Sequence, residues 1–147
     1  MLPLLLAALT TGAVIALQPG INASLSKALG SPFQASLMSF TTGTLIMLSI
    51  CLARGVGYPR PSQLAGIPFW QLVGGGTMGA LYVTLALSIA PRIGATLFLS
   101  AIVAGQVLSS LILDHKGLVG FAKDPATPTK LLGASLVILG VWLIGRR

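Results

Sequence analysis

Residues 2–26 read LPLLLAALTTGAVIALQPGINASLS, without one charge before Lys27. A helix needs about 20 mostly apolar residues to cross the hydrocarbon of a bilayer. A signal peptide has a basic lead and an apolar stretch of only about 7–15 residues. This segment has no such lead and runs longer, so it reads as a transmembrane helix.

The rest of the chain repeats the pattern. Of its 147 residues, 54% are apolar and 7% charged, and the mean hydropathy is +0.94. A soluble domain carries about 25% charge and at this length hides only about 70% of its unfolded surface. An ordinary water-soluble fold is therefore excluded. Uncharged runs also occupy 32–53, 68–90 and 93–113. A fifth apolar segment, 131–144, reaches spanning length when residues 127–130 join it, giving a span of about 128–145. Trp70 and Trp142 lie near span ends, where amphipathic rings favour the interface. The expected fold is an all-α membrane protein, a five-helix bundle forming one transmembrane domain over 1–147.

The connections differ in kind. Segment 54–67 contains Pro59 and Pro61 and reads as extended or as a short interfacial piece. Segment 114–129 holds Gly117, Gly120, Pro125 and Pro128 and cannot be continuous helix. Turns at 29–31 and at Pro91-Arg92 read as tight hairpins.

Nine Lys and Arg face two Asp and no Glu, for a net charge of +7. Such a balance can mark nucleic-acid binding, but these residues are scattered singly, with no basic stripe. They read as flanking charges of the spans, with membrane lipid and not nucleic acid as the partner. Cys51 is the single cysteine, so an intrachain disulfide or thiolate metal site is impossible.

Five alternating spans put Arg54, Arg60, Lys116, Lys123 and Lys130 on one face and Lys27, Arg92, Arg146 and Arg147 on the other. Five against four is almost no orienting bias. The expectation is dual topology: copies insert both ways up and pair as an antiparallel homodimer of ten helices. An odd span number fits, because two such copies in tandem form an inverted repeat.

Polar residues inside spans are costly and become functional candidates. Gln18 and Asn22 lie four apart, on one helical face, with Pro19 and Gly20 between them. Pro19 removes a donor to the Ile15 carbonyl and disfavours helical dihedrals at Gln18. Gly20 loosens the next position. A kinked or broken helix is expected here, as at many transporter substrate sites. Interhelical hydrogen bonding is the alternative use of the two amides.

A second stripe is Gln106, Ser110 and Asp114, beside Gly105 and Ser109. Asp114, the one acid next to a span, is the candidate for proton coupling. Pairing with Lys116 or a loop amide is its plainer role. Residues 74–79, GGGTMG, imitate a dinucleotide motif but follow no strand. Gly75 and Gly79 read instead as a small-xxx-small packing pair, with Gly43 and Gly105 as further packing positions. Tyr82 carries a hydroxyl that needs a partner or a cavity. Ser39, Thr41, Thr42 and Thr44 can bond back to their own helix. The substrate-site candidates are thus Gln18, Asn22, Tyr82, Gln106 and Ser110. Paired carboxylates, a Ser-His-Asp set and a metal-spaced cluster are all missing, so no enzyme, cofactor or metal is expected.

Several of these motifs occur together in a known family. Gln18-Pro19-Gly20-Ile21-Asn22-Ala23-Ser24-Leu25 resembles the Q-x-x-x-N signature of the YdcZ-like proteins, in the drug/metabolite transporter superfamily. Ser39-Phe40 with Gly43, GGGTMGALYV at 74–83, Pro91 with Gly94-Ala95, Gly105-Gln106 and Asp114-His115-Lys116-Gly117 are similar too. The resemblance implies a multi-pass protein of the bacterial inner membrane. It also implies pairing, antiparallel or with a homologous half, and transport of a small molecule. Related small multidrug resistance proteins export cations through a membrane-embedded Glu on the first helix. This chain has no Glu, so a neutral or anionic substrate suits its amides and kink better. The expected function is secondary transport of a small organic metabolite by alternating access between inverted protomers. A lipid-carrier flippase and a non-transporting assembly subunit are the alternatives.

Overall fold

The computed structural model describes residues 1–146. Its elements are α1 (Leu2–Ile15), α2 (Gln18–Leu29), α3 (Pro32–Ala53), α4 (Pro61–Leu64), α5 (Phe69–Ile93), α6 (Ala95–Lys116) and α7 (Pro128–Gly145). No strand occurs among the described residues. Five segments are long and apolar enough to cross a membrane, with α1 and α2 counting together as Leu2–Leu29. The all-α, five-span reading of the sequence is the architecture found.

Local chemistry sets the helix ends. The Ser31 and Thr127 hydroxyls accept from the backbone N–H of Gln34 (3.4 Å) and Lys130 (3.3 Å). Each is followed by a proline, at Pro32 and Pro128. An N-cap oxygen satisfies one orphan donor, and proline at the first helical position has no N–H to strand. The Thr127 cap is what extends the fifth span to residue 128.

The α5–α6 junction departs from the sequence reading. The helix runs through Pro91 and Arg92 to Ile93, which therefore ends the third span and does not open the fourth. Proline loses only one ladder bond so close to a terminus. The stop is Gly94, at φ 86 and ψ 150, a conformation essentially closed to residues with a Cβ.

Packing divides the chain into two compact units, Met1–Pro91 and Arg92–Arg147. In the first, α2 packs on α3, and Ala35, Val83 and Leu87 form a buried cluster with Ala23, Leu25 and Tyr82 against it. A Cβ at Gly79 would stand 3.3 Å from the Phe40 ring, so α5 and α3 approach closely there. Gly75 and Gly43 meet nothing within 4 Å. The small-residue contact expected of the Gly75–Gly79 pair is thus made within the chain by Gly79 alone. In the second unit α6 packs on α7. Gly105 is open there as well, whereas Gly145 would set a Cβ 3.5 Å from Leu97.

The α6–α7 loop is braced. Leu118 N–H donates to Leu113 O (2.9 Å) and Gly117 N–H to Asp114 O (3.3 Å), the paired bonds of a Schellman end. Gly117 sits at φ 65 with Lys123 Cβ 3.3 Å from where its own Cβ would be. Asp124 N–H donates to Asp114 O (2.8 Å), Ala126 N–H donates to His115 Nδ1 (3.2 Å), and Lys130 pairs with Asp124 at 2.6 Å. The other long connection holds the single turn α4, entered where Arg60 N–H donates to Gln63 Oε1 (2.8 Å).

Candidate substrate site

The first span is interrupted, but not where proline sterics alone would put the break. Ala16 and Leu17 separate α1 from α2, and both keep right-handed dihedrals. Gln18, expected to leave the helical region, is the first residue of α2. Three bonds carry the ladder across: Ala16 N–H to Gly12 O (3.0 Å), Leu17 N–H to Val14 O (3.2 Å) and Ile21 N–H to Leu17 O (3.1 Å). The second of these is an i→i−3 bond, so the chain tightens by one step ahead of the proline. Pro19 then falls in a first turn, where a missing N–H costs little. The result is a kink with little open helix terminus.

Beyond the kink the polar face turns inward at Asn22, while Gln18 is exposed. Pro19 and Asn22 are the buried residues of α2. Asn22 Oδ1 accepts from the Ser39 hydroxyl at 2.7 Å, tying α2 to α3. On the same side of α3, Ser36 is buried and its oxygen accepts from Thr84 Oγ1 of α5 at 3.1 Å. Ser88 closes the set by donating to Thr84 O (3.1 Å). Thr44 does bond back to its own helix, at Phe40 O (2.8 Å). Ser39 does not, and it and Ser36 and Thr84 are residues the sequence reading left without a role. A signal was present: Ala35, Ser39 and Gly43 recur at i, i+4 and i+8, a small-residue stripe suited to close helix approach.

Gln18, Asn22 and Tyr82 come together around one crevice, closed by Pro19, Val83, Ala86 and Leu87. Gln18 also opens on the far side into a cleft of about 840 Å³. One face of α3 supplies its long wall, from Ser39 and Phe40 through Gly43, Thr44, Met47 and Leu48 to Cys51 and Leu52. Those positions share a face because side chains three and four apart align on a helix. Val83 contributes from α5, and residues 56–59, including Tyr58, form the end. Among the described residues, no Lys, Arg, His, Asp or Glu lines this cleft. Drug-sized ligands occupy pockets of about 300–1,000 Å³, mostly apolar with a few placed polar groups, and this cleft has that character.

The second stripe lies in the other unit. Gln106 is exposed, and Ser110, also exposed, donates to its own helix at Val107 O (2.9 Å). Asp114 is half-buried. Among the described residues, its side chain makes neither of the pairings that were its plainer reading, with Lys116 or with a loop amide. Asp114 takes part in the loop brace through its backbone carbonyl. No group of three or more His, Cys, Asp or Glu suited to a metal occurs among the described residues.

A family model described as "Putative inner membrane exporter, YdcZ" matches residues 3–143. The chain belongs to the YdcZ family. It is similar to the inner membrane protein YdcZ of Escherichia coli K12, 25% identical over 118 residues, covering 77% of this chain and 74% of that protein. No solved structure matches. As a YdcZ-family chain with five apolar spans, it is a membrane transporter of the inner membrane.

Proposed function

We propose that this protein is a secondary transporter of a small organic molecule, with its substrate site in the cleft beside the α1–α2 kink. The observation that carries this reading is the cleft of about 840 Å³ opening onto Gln18, the first residue after the kink. An irregular turn in a span beside a cavity is a place where transporter sites are built, and Gln18 offers both a donor and an acceptor there. Asn22, held by Ser39, positions the helix that carries Gln18.

The working unit in this proposal is an antiparallel homodimer that alternates access by rocking. The near-equal division of basic residues supports it, as does Gln106, an exposed amide near the middle of α6. An exposed mid-span amide gains most by meeting a partner. Inverting one copy brings its Gln18 toward the depth of Gln106 in the other. Asp114, at the end of α6, is the proposed proton-coupling group.

Purified protein screened against metabolites should unfold at higher temperature with its substrate, because ligand binding to the native state stabilises it. The same compound should exchange across proteoliposomes. Gln18→Leu should abolish exchange, and co-expression with Gln106→Leu should restore it if the two residues build one shared site. Silence across water-soluble compounds, with a response to polyprenyl lipids, would favour a flippase, which the cleft's apolar wall also supports.

A further inference from the structure

The polar groups of the cleft are not equivalent. The Ser39 hydroxyl is donated to Asn22 and the Thr44 hydroxyl to the Phe40 carbonyl. The Gln18 side chain, in contrast, makes no hydrogen bond among the described residues, and the Tyr58 hydroxyl, likewise without one, belongs to a side chain 88% exposed at the cleft's end. From Ser39 to Leu52 the α3 wall is about 20 Å long at about 1.5 Å per residue, and between its ends it presents Gly43, Met47 and Leu48. Among the described residues, no cationic or anionic side chain lines any part of it.

A charged ligand seated there would lose its hydration and meet no counter-charge, a penalty that apolar contact does not offset. An uncharged ligand avoids that penalty. A wholly apolar one would leave the Gln18 amide facing hydrocarbon with nothing to bond. We infer that the cleft selects an elongated, uncharged amphiphile, with its apolar body along Met47 and Leu48 and one hydrogen-bonding group at Gln18. The assignment rests on the reading of this cleft as the substrate site and narrows it. Anions are excluded along with cations, although the missing Glu alone would have left anions open.

Cys51, half-buried in the same wall and the single cysteine of the chain, reports occupancy. Full-length protein in neutral detergent is alkylated with N-ethylmaleimide in the presence of three probes. These are N-phenyl-1-naphthylamine (uncharged, one N–H), 1-anilinonaphthalene-8-sulfonate (the same rings bearing an anion) and tetraphenylphosphonium (a cation). The uncharged probe should slow alkylation at least tenfold at a concentration where the two charged ones change it less than twofold. Gln18→Leu should weaken that protection about tenfold, the worth of one hydrogen bond in a dry site. Gly43→Phe, at a position with nothing within 4 Å, should fill the cleft and remove protection, a second test if the first variant does not fold.

Equal protection by a charged probe, or none by the uncharged one, overturns the assignment. So does a Cys51 already shielded without probe that becomes reactive on dilution to monomer, because a second copy then fills the cleft. Protection by dioleoylglycerol in the bilayer as well as by the soluble probe places the ligand's source in the membrane, and protection by the soluble probe alone places it in water. Both outcomes keep the uncharged class. Selective protection without exchange in proteoliposomes would end the transport reading and leave the ligand class standing.

Discussion

The two halves of the first span invert the habits of a soluble helix. In α1, LPLLLAALTTGAVI, no residue is buried. In α2, QPGINASLSKAL, the more polar half, Pro19 and Asn22 are buried. Water would reverse this arrangement by driving the leucines in and leaving the asparagine out. In lipid, apolar side chains have no hydrophobic drive toward burial against one another, while polar groups gain by finding partners. The turn at Ala16 and Leu17 is the border between a segment with no buried residue and one that packs on α3.

Substitutions on either side of that border should behave differently. The largest effect is expected from Val14→Asp, near the middle of Leu2–Leu29 and 63% exposed. A carboxylate facing hydrocarbon there should cost about 3 kcal/mol of insertion, measured as loss of membrane-integrated protein. Normal insertion would mean that α1 faces something other than lipid. Next is Asn22→Leu, which strands the Ser39 hydroxyl and should cost about 1–2 kcal/mol in a reversible unfolding titration. Thr11→Val in α1, whose hydroxyl bonds only Ala7 O, should cost less than about 0.5 kcal/mol. Equal costs would erase the contrast.

Pro19→Ala restores a possible donor to the ladder but trims a buried ring, so stability should move by less than about 1 kcal/mol. Exchange of substrate should nevertheless fall about tenfold if the kink shapes the site, a separation that activity and unfolding measured on one preparation will resolve. Ser39→Ala should cost about 0.6 kcal/mol. In the Asn22→Leu background it should cost almost nothing, and additive losses would show that the two side chains act independently.

Uncharged run lengths identify the spans because hydrocarbon imposes both length and composition. The Ser31-Pro32 and Thr127-Pro128 starts and the Gly117 stop were equally accessible, since each is decided within a few residues. The site was legible only in part. Gln18, Asn22 and Tyr82 stand out as polar groups in apolar surroundings, and they do meet. Ser39 could not be distinguished from Thr44, because a hydroxyl that bonds its own helix and one that bonds a neighbour look alike in sequence; the facing residue decides. Gln18 keeps helical dihedrals because the ladder tightens one step earlier, a choice that proline sterics leave open. Gly75 and Gly79 have the same spacing signal, yet only Gly79 has Phe40 opposite it. Gly43 and Gly105 read alike as packing positions, yet neither has anything within 4 Å of its Cβ position.

The hydrogen bonds that hold the first unit together also impose an order on its synthesis. The Ser31 cap joins residues three apart and can close as soon as that turn exists. The Ser39–Asn22 bond waits for 17 further residues, and the Thr84–Ser36 bond for 48. Until Thr84 emerges from the ribosome, Ser36 must enter the bilayer with only its own helix to bond. The nascent hairpin of α2 and α3 is therefore a half-finished polar surface, which a chaperone, the insertion machinery or a second nascent copy must tolerate until α5 arrives.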